Sequence, residues 1–237
     1  MLSSWSAHYC AGRAALTPQT FNADTEGVLP DGRLATGGGA LHSNAYYDRN
    51  ADNYAARTQG APPPPLLDEF MALVPAGGRV IDLGCGAGRE LSRLVAAEFQ
   101  CVGFDLSPEL AAIAHRRSGA ETIVADMRDL DIAPACADGV VAIASLLHLP
   151  REDLTRQLKA IASWLKPGGI FLATMKLGSG VDADEEGRWF TLVEPGSWWS
   201  ALAKAGFERV AESQSAAQVD VSSSSHNWMA TLVRRVP

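Results

Sequence analysis

The sequence predicts an α/β domain built on a doubly wound, largely parallel sheet. Two observations carry this. From Val80 to Met175 short apolar runs alternate with amphipathic segments, and a glycine-rich turn joins the first run to the first helix. Strands that alternate with helices pair in parallel, because each crossover helix returns the chain to the same end of the sheet. Right-handed crossovers gather the post-strand loops along one edge, where such sheets hold ligands. With 237 residues, 47% of them apolar, the chain can bury the core of one such domain.

The elements read in order as follows. Residues 1–45 carry Gly37-Gly38-Gly39, scattered Ser and Thr and no sustained period, so they read as a flexible N-terminal extension to a domain spanning 46–237. A helix is expected from Asp48 to Arg57 with Asp48 as its cap. Pro62 to Pro65 breaks the chain before a short helix, Leu66 to Val74. Strand Val80–Leu83 leads into helix Gly88–Phe99, with Leu91, Leu94 and Val95 as apolar positions. Strand Cys101–Phe104 is followed by a helix opened by Pro108, since proline suits a first helical turn. Strands Thr122–Ala125 and Gly139–Ala144 come next. In helix Arg151–Leu165 the side chains Leu154, Leu158, Ile161, Ala162 and Leu165 share one face. Pro167-Gly168-Gly169 turns the chain into strand Ile170–Met175. A helix Ser197–Ala205, carrying Trp198 and Trp199 with one of the two in the core, precedes a hairpin of strands Phe207–Glu212 and Asn227–Arg234.

Composition narrows the function classes. A net charge of -7 and scattered arginines argue against a nucleic-acid grip, which needs a basic stripe. The four cysteines, Cys10, Cys85, Cys101 and Cys136, have neither zinc-knuckle nor redox-pair spacing and read as free thiols; no metal site is expected. No stretch is long and apolar enough to span a bilayer, and Met1 to Gly12 lacks the pattern of a signal peptide, so a cytoplasmic protein without a membrane partner is expected.

The chemistry concentrates in Val80-Ile81-Asp82-Leu83-Gly84-Cys85-Gly86-Ala87-Gly88-Arg89. A strand ends in an acid, and glycines at alternate positions let the backbone turn tightly and a ligand approach. Asp105 ends the second strand, 21 residues after Gly84, where a carboxylate can accept both hydroxyls of a ribose. Asp126 ends the third, within reach of an adenine amine. A nicotinamide dehydrogenase would show G-x-G-x-x-G; here the pattern is G-x-G-x-G with Arg89 following.

Asp82 to Gly88, together with Asp105, Asp126 and Leu165-Lys166-Pro167-Gly168-Gly169, resembles the class I S-adenosylmethionine-dependent methyltransferases. The later segments are similar to a subgroup of small bacterial methyltransferases. The resemblance covers roughly Tyr46 to the C-terminus. It implies a Rossmann-like seven-stranded sheet, mostly parallel with an antiparallel last strand, and S-adenosylmethionine as cofactor. It also implies a cofactor-binding set of Asp82, Gly84, Gly86, Asp105, Leu106, Asp126, Met127 and Ser145, in which Gly84 and Gly86 pass close to the amino acid part, Asp105 holds the ribose, and Asp126 and Met127 frame the adenine.

The acceptor side is less determined. Tyr47-Asp48-Arg49-Asn50-Ala51-Asp52-Asn53-Tyr54 matches a helix that closes over the cofactor in many relatives, so Tyr47 joins His148 as a catalytic candidate, with packing of a surface helix as the alternative. His148, after the fourth strand, can take a proton near pH 7, or merely bond the backbone. Gly178-Ser179-Gly180, the acidic run Asp182 to Glu186 and Gly187-Arg188-Trp189-Phe190 read as a lid with a solvated acidic loop; Lys176, Arg188 and Trp189 are the expected substrate contacts. The Asn/Asp-Pro-Pro-Tyr/Phe motif of relatives that methylate DNA amines is absent. A small-molecule acceptor is expected, with no nucleic acid partner, in a monomer or homodimer. A tRNA- or protein-modifying enzyme and a non-catalytic cofactor-binding protein are the alternatives.

Overall fold

The structure is a computed structural model that describes residues 39–215 and 227–237, with side chains from Ser43 onward. Most of the proposed extension, Cys10, and the loop expected inside the C-terminal hairpin lie outside the described residues.

Five parallel strands form the centre: β1 (Arg79–Leu83), β2 (Gln100–Asp105), β3 (Glu121–Val124), β4 (Ala137–Ala142) and β5 (Leu165–Lys176). Two more, β8 (Phe207–Ser215) and β9 (Trp228–Arg235), complete a seven-stranded sheet in the order β3-β2-β1-β4-β5-β9-β8. β9 runs antiparallel to both neighbours, so β8 shares the direction of the other five. This is the Rossmann-like sheet with one reversed strand, the last.

The strands form because their residues suit burial on both faces. Val80, Ile81 and Leu83 of β1 and Phe171, Leu172 and Ala173 of β5 are fully enclosed. Helices α4 (Arg89–Ala96), α5 (Pro108–Ser118), α6 (Arg151–Trp164) and α7 (Pro195–Lys204) cover those faces. α4 buries Leu91 and Leu94, each contributing roughly 1.5–3 kcal/mol. α5 starts at Ser107, whose hydroxyl accepts the Leu110 N–H, continues through Pro108, and stops at Gly119 with φ +70°. α6 buries Leu154, Leu158, Ile161 and Ala162 on the face expected for them. Of the two tryptophans on α7, Trp198 is the core residue, and its indole N–H donates to Thr231 Oγ1.

Three expectations change. The helix placed at Asp48–Arg57 is two helices, α1 (Gly39–Arg49) and α2 (Ala51–Gln59), broken at Asn50, and α1 starts before the boundary set at residue 46. Asp48 caps no helix of its own. Its Oδ1 accepts the Ser107 hydroxyl at 2.8 Å, tying α1 to the start of α5. β5 begins at Leu165, and Lys166–Gly169 form an irregularity within it, where its register against β4 jumps from Ala137↔Leu165 to Gly139↔Ile170. The glycine-flanked lid segment contains a small hairpin, β6 (Val181–Ala183) against β7 (Trp189–Thr191). A short helix α3 (Leu67–Leu73) packs Leu67 and Phe70 under the sheet.

Candidate active site

The sheet order reverses at β1, with β2 and β3 on one side and β4 and β5 on the other. Loops leave β1 and β4 in opposite directions there and open a crevice. Its floor is the glycine turn. Gly84 and Gly86 have φ of +70° and +53°. A Cβ on Gly84 would stand 2.4 Å from Ser145 Cβ, so only glycine lets the β1 and β4 loops come this close. Gly88 serves packing instead, since a Cβ there would meet Ala114 Cα of α5 at 2.7 Å.

The crevice is lined by every residue expected to bind the cofactor except Asp82. Two buried polar atoms, Asp82 Oδ2 and Ser145 Oγ, have no hydrogen-bond partner among the described residues. Burial, reinforced by the charges of Glu90 and Asp105, holds the Asp82 carboxyl well above the usual range. Such a group invites a cation or a donor. Asp105 Oδ2 accepts the Gly86 N–H at 2.7 Å and Oδ1 the Ser107 N–H at 2.9 Å. Burial raises its pKa, against the lowering effect of those N–H groups. Asp105 therefore shapes the glycine loop as well as facing the crevice. Asp126 is already engaged. It accepts the Arg128 backbone N–H, Nε and Nη2, which occupy much of its acceptor capacity. Leu106, Ala125 and Met127 complete an apolar slot beside it.

A second cavity, of about 270 Å³, adjoins the first. Tyr47, Tyr54, Ile143, Ala144 and His148 line both, so they mark the passage between them. Ala144 holds φ +51° there, a left-handed conformation costing of order 1–3 kcal/mol, and its N–H donates to Thr174 Oγ1. Nothing local in the sequence announces that strain. Tyr47 and Tyr54 meet edge to face at 5.1 Å.

His148 is fixed at both nitrogens. Nδ1 lies 2.9 Å from the Trp189 carbonyl, so it carries the proton, and Nε2 accepts the Tyr47 hydroxyl at 3.1 Å. Burial, aided by the charges of Arg188 and Lys176, pushes its pKa down to about 4. Lys176, at the end of β5, has Nζ 3.6 Å from the Phe190 ring centre. Arg188 is 3% exposed, and its Nε donates to Asp184 Oδ2 at 2.7 Å. Asp184 also accepts the Glu186 and Arg188 backbone N–H groups, so this part of the acidic run is the hairpin's internal brace and not a solvated loop. Trp189 does not line either cavity. Its backbone makes the contacts: the carbonyl receives His148, and the N–H donates to Ser43 Oγ at 2.9 Å. Pro62 to Pro65, read only as a chain break, form one wall of the second cavity.

Among the described residues Cys85, Cys101 and Cys136 are free thiols, no His/Cys/Asp/Glu group has metal-holding geometry, and no helix is long and apolar enough to cross a membrane.

Comparison with known proteins gives a consistent class. Residues 80–169 match the family model described as a methyltransferase domain. The ubiquinone biosynthesis O-methyltransferase of Xanthomonas axonopodis pv. citri is 36% identical over 120 residues, covering 47% of this chain and 49% of that protein. The tRNA (carboxymethyluridine(34)-5-O)-methyltransferase of Arabidopsis thaliana is 30% identical over 129 residues, covering 54% of this chain and 31% of that one. The chain thus spans about half the length, or less, of these curated relatives. The crystal structure of Burkholderia thailandensis 1,6-didemethyltoxoflavin-N1-methyltransferase, with bound 1,6-didemethyltoxoflavin and S-adenosylhomocysteine, superposes with a TM-score of 0.65 at 20% identity, over 84% of this chain and 88% of that one. The [4+2]-cyclase SpnF superposes equally well, 0.65 at 19% identity, over 81% and 94%. One fold here carries different reactions, as superfolds do. Residues 80–169 thus match a methyltransferase domain, and the sheet has the architecture of the Burkholderia S-adenosylhomocysteine complex. The crevice fits S-adenosylmethionine: glycines stand where a Cβ would intrude, and two buried oxygens near the glycine turn have no hydrogen-bond partner among the described residues.

Proposed function

We propose that the protein transfers a methyl group from S-adenosylmethionine to a small-molecule acceptor seated in the second cavity. The observation behind this is the joining of two cavities at Tyr47, Tyr54, Ile143, Ala144 and His148. One holds the cofactor-binding residues and the other is large enough for a compact organic molecule.

When bound, the cofactor supplies an electrophilic methyl on a sulfonium. The chain's own residues then do four things. Asp82 and Ser145 receive the amino acid end, and Asp105 with Leu106 receives the ribose. Met127 and Asp126 flank the base, with Asp126 held in place by Arg128. Tyr47 and Tyr54 present ring faces and edges to a cation at the passage. The protein's main contribution is alignment of the acceptor, which is worth roughly 7–11 kcal/mol when both partners are held in line.

His148 fits a hydrogen-bond acceptor for the nucleophile. Its Nδ1 proton is committed to the Trp189 carbonyl, so Nε2 is the basic atom; it accepts the Tyr47 hydroxyl, which must give way before Nε2 can accept from a nucleophile. With a pKa of about 4 it is neutral throughout the physiological range. It acts as a positioning acceptor for most nucleophiles, and takes a proton only from an acidic one. Replacing His148 by Gln, or Tyr47 by Phe, is expected to cut turnover by about 10²-fold while leaving S-adenosylhomocysteine affinity within about twofold. The acid limb of the wild-type rate profile should fall near pH 4 and not near 6.5. An acid limb near 6.5, or wild-type turnover in both variants, would remove these residues from the mechanism.

The Arabidopsis relative's name raises an RNA acceptor as a second reading. The acidic total charge favours a small molecule. Incubation with methyl-labelled cofactor and separate metabolite and tRNA pools decides it. Label in the metabolite fraction is expected, and label in tRNA alone would reverse the assignment.

A further inference from the structure

The base end of the crevice is built around an acid that is already fully occupied. The chain leaves β3 through Ala125 and Asp126, and Asp126 caps a short 3-10 turn, Met127–Asp129, by accepting the Arg128 backbone N–H at 2.9 Å. That turn brings the Arg128 guanidinium back over the carboxylate. Nε lies 3.0 Å from Oδ1 and 3.1 Å from Oδ2, and Nη2 lies 2.6 Å from Oδ2. Each carboxylate oxygen thus receives two N–H contacts, and a carboxylate has about four lone-pair positions to give. On its other side Arg128 is held by Asp153 Oδ2, 3.5 Å from Nη1. The pair is mostly enclosed, with side-chain exposures of 19% for Arg128 and 7% for Asp126. The bond to Asp126 keeps the guanidinium's pKa above the ordinary arginine value. Asp126 lines the crevice and Arg128 does not. The lining beside Asp126 is apolar: Phe104, Leu106, Leu110, Ala125 and Met127.

From this saturated carboxylate we infer that the cofactor's purine is held by shape and apolar contact, without a hydrogen bond from its 6-amino group to Asp126, and that Arg128 is the positioning residue that keeps Asp126 from reading that group. The inference rests on the crevice being the S-adenosylmethionine site and specifies what that site discriminates. A site rejects an analogue strongly when the missing donor leaves a buried acceptor unpaired. Asp126 stays satisfied by Arg128 whether or not an amine is present, so loss of the amine carries no such penalty. Moving Arg128 aside to free a lone pair exchanges a charge-assisted, two-oxygen contact for a neutral one, which is unfavourable. The ligand class is therefore wider than adenosine: purine nucleosides with and without the 6-amino group fit alike.

The test is a ratio of binding constants, read by titration calorimetry on the full chain. The probes are S-adenosylhomocysteine and its 6-deamino analogue, in which hydrogen replaces the amine and the ring nitrogens are kept. The wild type should bind the two within about threefold of each other. In Arg128→Met the guanidinium is gone and Asp126 becomes an open acceptor, so the preference for the amine should rise to roughly tenfold or more. Adding Asp126→Ala should abolish that gain, because the gain belongs to the carboxylate. A roughly tenfold or larger preference in the wild type, no rise in Arg128→Met, or a rise that survives Asp126→Ala would overturn the inference. Arg128→Lys covers the case in which Arg128→Met does not fold. An ammonium cannot fork across both oxygens, so an intermediate preference is expected, and a wild-type ratio would count against the proposal. A merely structural Arg128 would shift both affinities alike and leave their ratio unmoved. Failure of both ligands to bind the wild type would overturn the cofactor reading and this inference together, whereas a strong amine preference overturns this inference alone.

Discussion

Asp82 is a buried acid with a cost to stability, and the proposed role for it is to hold the cofactor. It is 2% exposed, its Oδ2 is unpartnered, and Glu90 and Asp105 stand close enough to raise its pKa. A buried carboxylate without a partner destabilises the fold it sits in, and a cationic ligand would relieve it. Asp82→Asn is therefore expected to keep or raise the melting temperature of the ligand-free protein, by up to about 2–4 °C, while weakening S-adenosylhomocysteine at least tenfold. A fall of several degrees with unchanged affinity would show that Asp82 is a structural acid. His148 carries the opposite linkage. Its folded pKa of about 4 lies below the ordinary 6.5, so the unfolded chain binds the proton more readily. The stability this confers is complete above pH 6.5 and is lost as pH falls towards 4, about 3 kcal/mol in all. His148→Gln should flatten the decline in melting temperature over that window. Asp82, Gly84, Gly86 and Asp105 were legible in the sequence because an acid at a strand end and glycines in the next turn act through the backbone they sit on. The hold of Arg128 on Asp126, and Trp189 acting through its carbonyl, depend on where side chains fold back, which spacing does not encode.

At the level of elements, the core strands and helices fell close to their expected positions because their period is strong and their caps, such as Ser107 with Pro108, are local. The roof over the two cavities was harder to read. α1 and the β6–β7 hairpin are held together by Ser43 against the Trp189 backbone and by Tyr47 against His148. Both links join residues more than a hundred positions apart, so no window of sequence contains them. Inside the hairpin, Asp184 accepts three N–H groups. In Asp184→Ala, amide exchange across Trp189–Thr191 should accelerate by an order of magnitude or more, because a charge-assisted brace worth roughly 1.5–3 kcal/mol is gone. Exchange in β1 and β4 should not change. Equal acceleration in the central strands would mean that Asp184 supports the whole domain. The Trp189 amide gives a second reading, since Ser43→Ala removes its acceptor.

For the molecule as a whole, reversal of strand order at β1 explains why the two cavities adjoin, although their linings come from segments between Ser43 and Ala230. The crossover rules made the crevice foreseeable; the walls of the second cavity were not, because Pro62 to Pro65, Lys176 and Trp228 meet only through tertiary packing. The central claim is that the crevice at the ends of β1 and β4 binds S-adenosylmethionine. Titration calorimetry of S-adenosylhomocysteine into the wild-type protein and Asp105→Asn tests it most directly. The account predicts saturable one-to-one binding by the wild type. Asp105→Asn should lose at least tenfold, about 1.4 kcal/mol or more, since a charged acceptor becomes neutral and its amide opposes the donors of Gly86 and Ser107. No binding heat with the wild type, or equal affinity in the two proteins, would contradict it.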